Sequence, residues 1–247
     1  GRGVAPNASI LAFNLLKDFS VSNEADALGA DNDRAADVSV FNMSYGGQNY
    51  TDTSSGTGLA YANTTIADAL EAGTSDLRGS KGALYVNSVG NDYYNGDTGT
   101  GLFSYCGDGV NSGTYKIGCY DAVFDSVFTT PYVIGVGALD ADNIKTKYST
   151  PGATTWVSAY GGDYGADDSY VSNADYFNSS VSIPYKPAVT TIDRSSCSKG
   201  KNSSNGDRLN ALNDYQNPHS ENPDCNYTNG MNGTSSAAPM VSGVIAL

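Results

Sequence analysis

Apolar residues along this chain gather into short runs separated by stretches rich in Gly, Asn, Asp and Ser. Runs at about 8–15, 38–44, 82–88, 132–138 and 155–159 predict strands. "GLAYANTTIADALEAG", at about 58–73, predicts a helix, and a second helix follows from Ser236 to the last residue, Leu247. Strands alternating with helices predict a βαβ arrangement: an α/β fold with a mostly parallel central sheet flanked by helices. The chain of 247 residues is one domain's worth of sequence, with no internal repeat. Regions of about 92–130 and 160–230 lack the apolar pattern and predict long surface insertions.

The last segment, "NGTSSAAPMVSGVIAL" (232–247), puts Ser235 among small residues just before the terminal helix. Gly233 and Thr234 supply a flexible turn and a cap, so Ser235 sits where unpaired N–H groups and the positive end of the helix dipole converge. Pro239 falls near the first turn, where a missing N–H costs little. Taken alone, the segment is equally a small-residue packing helix with a cap.

"GTSSAAP" (233–239) resembles the nucleophile motif of the subtilisin-like serine peptidases, the subtilase or S8 family, in which the serine after threonine attacks the scissile carbonyl; here that is Ser235. Two more segments resemble the same family in its order. "VSVFNMSYGG" (38–47) is similar to the substrate-binding strand, with Ser44, Tyr45 and Gly46 at the edge that pairs with the substrate backbone. "GALYVNSVGND" (82–92) is similar to the strand that ends in the oxyanion-hole asparagine, here Asn91. Without the resemblance, these two are a core strand with its turn and a Gly-Asn turn. The segments 1–16, 131–143, 148–162 and 190–193 resemble further family strands and loops, and the pattern is closest to bacterial relatives of the kexin-like branch. Those enzymes place a specificity acid in a Cys-x-x-Asp segment; Asp121 follows Cys119 at altered spacing. The paired acids that follow their substrate strand are replaced by "GGQNYTD" (46–52), implying specificity broader than strict dibasic cleavage.

The family's triad runs Asp, His, Ser along the chain, with the first two motifs before the "GVAP" strand that opens this sequence. The single histidine, His219, stands in a polar loop that matches neither motif. The resemblance thus implies a subtilisin-like three-layer fold truncated at both ends, with its Asp and His upstream, and a chain inert by itself. It also implies polypeptide substrates and a monomer. The reading is a serine endopeptidase; the alternative is a catalytically inactive relative used for extracellular binding.

Composition adds context. Charged residues are 16% and the net charge is −13, which argues against nucleic-acid binding and suits a secreted protein. No run reaches the length of a membrane span. The four cysteines, Cys106, Cys119, Cys197 and Cys225, lack zinc-site spacing and predict two local disulfides, 106–119 and 197–225, with buried thiols the alternative. Sequons at Asn42 and Asn232 lie inside the peptidase motifs, where a glycan has no room. The chemistry requires no cofactor. A structural calcium ion is implied by the resemblance alone, its ligands unassigned; the acidic stretches 140–143 and 161–168 are equally solvated loops.

Overall fold

The computed structural model describes residues 3–30, 33–46, 61–92, 121–163, 186–200 and 220–247. Its centre is a four-stranded sheet of β1 (Val40–Met43), β2 (Leu84–Ser88), β3 (Val133–Leu139) and β4 (Thr155–Tyr160), in the order β1-β2-β3-β4. Every neighbouring pair is parallel. Met43 pairs with Asn87 and Asn87 with Gly135, so the carboxyl ends of the strands open at one rim.

Alternation sends successive side chains to opposite faces. On one face Phe41, Met43 and Tyr85 pack with Leu28, Ile66 and Leu70 beneath α1 (Val21–Ala27) and α2 (Thr64–Ser75). On the other, Val86, Val136 and Ala138 pack against Ala237 and Ala238 of the terminal helix (Thr234–Ile245). The result is three layers, as the strand–helix alternation predicts.

Local chemistry places the ends of these elements. The Ser20 hydroxyl accepts the Asn23 N–H at 3.3 Å and caps α1. The Asn63 side chain accepts the Thr65 N–H at 3.0 Å, so α2 starts at Thr64 and extends to Ser75, not over 58–73. Tyr85 is wholly buried, stacks on Phe41 at 4.8 Å and donates its hydroxyl to the Leu28 carbonyl at 2.6 Å. Gly73 makes room for that hydroxyl, because a Cβ there would overlap it.

Three further expectations change. Residues 8–15 form no strand: no ladder partner lies beside them among the described residues, and Ile10 is 91% exposed. An apolar run is only a candidate strand until a neighbour takes its backbone groups. Residues 121–130 belong to the core, not to a surface insertion. Asp121 and Asp125 cap two short 3₁₀ turns, Ala122–Phe124 and Ser126–Thr129, which bury Ala122 and Phe128. The terminal helix starts at Thr234, two residues early, because Gly233 (φ 111°, ψ 161°) is its N-cap. The segment 190–193 does lie in a strand, β5 (Val189–Ile192), but it pairs antiparallel with an unforeseen β6 (Tyr227–Met231) as a separate ribbon. Cys197 and Cys225 are bonded beside this ribbon, with Cα atoms 5.0 Å apart. Cys106 and Cys119 lie outside the described residues.

Candidate functional site

The rim at the carboxyl ends of β1 and β2 meets the first turn of the terminal helix. β6 ends at Met231, the chain turns through Asn232 and Gly233, and Ser235 becomes the second residue of the helix. First-turn N–H groups have no acceptor within a helix, so donors and the dipole gather around the half-buried Ser235 hydroxyl.

Two side chains hold this turn. The Asn91 Oδ1 accepts the Thr234 N–H at 2.8 Å and the Thr234 hydroxyl at 3.1 Å. With its oxygen so engaged, the exposed Asn91 is left with its amide Nδ2 as donor. From below, the buried Tyr148 hydroxyl accepts the Gly233 N–H at 3.0 Å and donates to the Gly162 carbonyl at 2.5 Å. Burial is the main cause that pushes the Tyr148 phenol up to about 12.

The end of β1 touches the serine directly. The Ser44 hydroxyl donates to the Ser235 carbonyl at 3.0 Å, and the Ser235 hydroxyl donates to the Ser44 carbonyl at 3.3 Å. Asn42 Nδ2 donates to the Ser44 hydroxyl at 2.9 Å, and Ser242 donates to Asn42 Oδ1 at 3.1 Å. Asn42 thus holds the Ser44 hydroxyl with its Nδ2 and ties β1 to the terminal helix with its Oδ1.

Behind the strand end lies a buried acidic group. Tyr45 hydrogen-bonds Glu24 of α1 and packs edge-on against Phe19 at 5.7 Å. Gly46 faces Asp125, whose Oδ2 occupies the space a side chain at 46 would need, with the Asn87 amide beside it. Asn87 is 2% exposed and its Oδ1 has no hydrogen-bond partner among the described residues. Burial raises the Asp125 carboxyl to about 6; the Val127 N–H opposes the rise and the Glu24 charge adds to it. Burial likewise raises Glu24, against its hydrogen bond with Tyr45. The Tyr45 phenol is raised by burial first and by Glu24 and Asp125 next.

The structure therefore brings Ser235, Asn91, Ser44, Tyr45 and Gly46 to one place, from segments up to 191 residues apart. Asp121 caps the Val123 N–H at 3.0 Å and packs against Gly152, and Asp125 faces Gly46. His219 lies outside the described residues. Glu24, Asp125 and Tyr148 went unnoticed in the sequence: each acts through a contact with a distant segment, and no spacing signals it.

In the acidic stretch 140–143 the aspartates already have partners. Asp140 Oδ1 accepts the N–H groups of Asp142 and Ile144, and Asp142 pairs with Lys186 at 2.7 Å, so their carboxylates are already engaged. The stretch 161–168 is described only as far as Asp163. Among the described residues no three His, Cys, Asp or Glu side chains converge on a metal position.

A serine at a helix N-terminus, an amide fixed beside it and a strand edge alongside are the parts of an acyl-transfer site on an α/β scaffold. The family model of the subtilases, peptidase family S8, matches residues 1–247, and the chain belongs to that family. It is 30% identical over 254 residues to the Aeromonas extracellular serine protease of Aeromonas sobria, covering 100% of this chain and 35% of that protein. It is 33% identical over 112 residues to the microbial serine proteinase of Aeromonas salmonicida, covering 45% of this chain and 15% of that one. The solved structures of the Aeromonas sobria serine protease, with its chaperone and alone, superpose at TM-scores of 0.71 and 0.69 with 28% identity, over 99% of this chain and 36% of theirs. The fold is subtilisin-like, and the chain spans about a third of the length of these relatives.

Proposed function

We propose that this chain supplies the nucleophile and the oxyanion-binding side of a secreted serine endopeptidase acting on polypeptide substrates. The observation that carries the reading is the pair of hydrogen bonds from Thr234 to Asn91 Oδ1, which ties the Asn91 amide to the residue preceding Ser235. In this reading the Ser235 hydroxyl attacks the scissile carbonyl and forms an acyl-enzyme. The developing oxyanion is held by Asn91 Nδ2 and by the N–H of the serine turn, interactions stronger in the transition state than in the ground state. The substrate backbone lies along Ser44–Gly46. The general base and its orienting acid come from histidine and aspartate residues not placed among the described residues. Secretion is supported by the name of the Aeromonas sobria relative, an extracellular protease.

The test uses the complete protein and a peptide substrate, with turnover counted per titrated active site. Asn91→Ala should lower kcat by on the order of 10²–10³ with KM nearly unchanged, a magnitude carried over from subtilisin's own oxyanion asparagine. Ser235→Ala should cost far more, because the covalent route is gone. Normal kcat per titrated site in Asn91→Ala would remove Asn91 from the mechanism. No turnover by the wild type would favour a binding protein.

A further inference from the structure

Pro239 has no N–H and is the sixth residue of the terminal helix, beyond the first turn where a missing N–H costs little, so the carbonyl four residues earlier loses its helical donor. That carbonyl belongs to Ser235. In its place the Ser44 hydroxyl donates to the Ser235 carbonyl at 3.0 Å, across 191 residues of chain. A proline ring also crowds the i−4 carbonyl, and here that carbonyl meets the Ser44 hydroxyl at the strand end. The donor is itself held, since Asn42 Nδ2 bonds the Ser44 oxygen at 2.9 Å. The Ser44 carbonyl meanwhile accepts the Ser235 hydroxyl at 3.3 Å, so two hydrogen bonds join the same two residues.

We propose that Ser44 is a positioning residue: its hydroxyl substitutes for the helical N–H that Pro239 lacks and locks the strand edge to the nucleophile's own peptide unit. This rests on Ser235 being the nucleophile. A tie at that carbonyl fixes the segment whose N–H and side chain must meet the substrate, while the substrate-facing backbone of β1's end is held in register with it. Loss of the tie frees the serine peptide to drift, and small misplacements of a nucleophile are expensive in rate. The substrate still meets the same backbone at residues 44–46, so binding is preserved.

The pair of substitutions Ser44→Ala and Pro239→Ala tests this as a cycle in the complete protein. Ser44→Ala alone should lower kcat per titrated site about tenfold, the worth of one hydrogen bond of this kind, with KM changed less than about twofold. Ser44→Thr keeps a hydroxyl and should stay within about threefold of wild type. In the Pro239→Ala background, residue 239 regains an N–H that the Ser235 carbonyl can accept, so adding Ser44→Ala should cost less than about twofold. Equal losses from Ser44→Ala in both backgrounds would overturn the proposal, as would an unchanged kcat in the single variant. Should Pro239→Ala fail to fold, the Ala and Thr variants at 44 decide, and equal losses in both would sink it. A wild type with neither turnover nor a titratable serine would instead defeat the protease reading, and this inference with it.

Discussion

At the scale of single residues, Asp125 is a carboxyl kept from water beside the strand edge. Glu24 from α1, Tyr45 from the end of β1 and the Val127 N–H of its own turn face it. Its folded value of about 6 lies above the ordinary carboxyl value of 3.8, so the folded chain retains a proton that the unfolded chain has released over that interval. The stabilisation this represents is complete below about pH 4 and is lost as pH rises through about 6. Asparagine at 125 has no charge to bury. The melting temperature of Asp125→Asn relative to wild type is therefore expected to rise between pH 4 and pH 7; an offset equal at both pH values would show that Asp125 does not titrate in this interval. Ser235 and Asn91 could be read from the sequence because each sits in a local motif, small residues before a helix or a Gly-Asn strand end. Asp125 and Tyr148 could not, since what matters in them is the partner, Gly46 or Gly233, brought up from a distant part of the chain.

At the scale of elements, α2 carries an instructive exception. Replacing glycine by alanine within a helix usually gains about 1 kcal/mol. At Gly73 the added Cβ would overlap the Tyr85 hydroxyl, on a ring stacked against Phe41 and bonded to Leu28. That ring cannot yield without breaking the bond, so Gly73→Ala should destabilise the fold by roughly 1–3 kcal/mol, as overpacking does. Chemical denaturation checks this, and a gain in stability would show that the contact relaxes. β1, β2 and β3 were legible because a buried parallel sheet needs short apolar runs and little else, whereas the largely exposed β4 showed only in its β-branched and aromatic residues. The run at 8–15 carries the same signal without a partner among the described residues, which composition cannot reveal. The turns at 121–130 were hidden for the opposite reason: Asp121 and Asp125 look like loop residues, and they are caps that let Ala122 and Phe128 reach the core.

At the scale of the whole molecule, the sheet, the serine turn and the strand edge form one mechanical unit. Helix packing through Ala237 and Ala238 sets the serine's height above the sheet. Asn91, Tyr148 and Ser44 then fix its position from three directions. Such convergence is what the proposed reaction of Ser235 requires. The most direct test is to treat the complete protein with a fluorophosphonate and map the adduct by mass spectrometry. The predicted result is one adduct, on the peptide bearing Ser235, formed in proportion to the loss of peptidase turnover and absent in Ser235→Ala. An adduct on another residue, or full inactivation with Ser235 unmodified, would contradict the account.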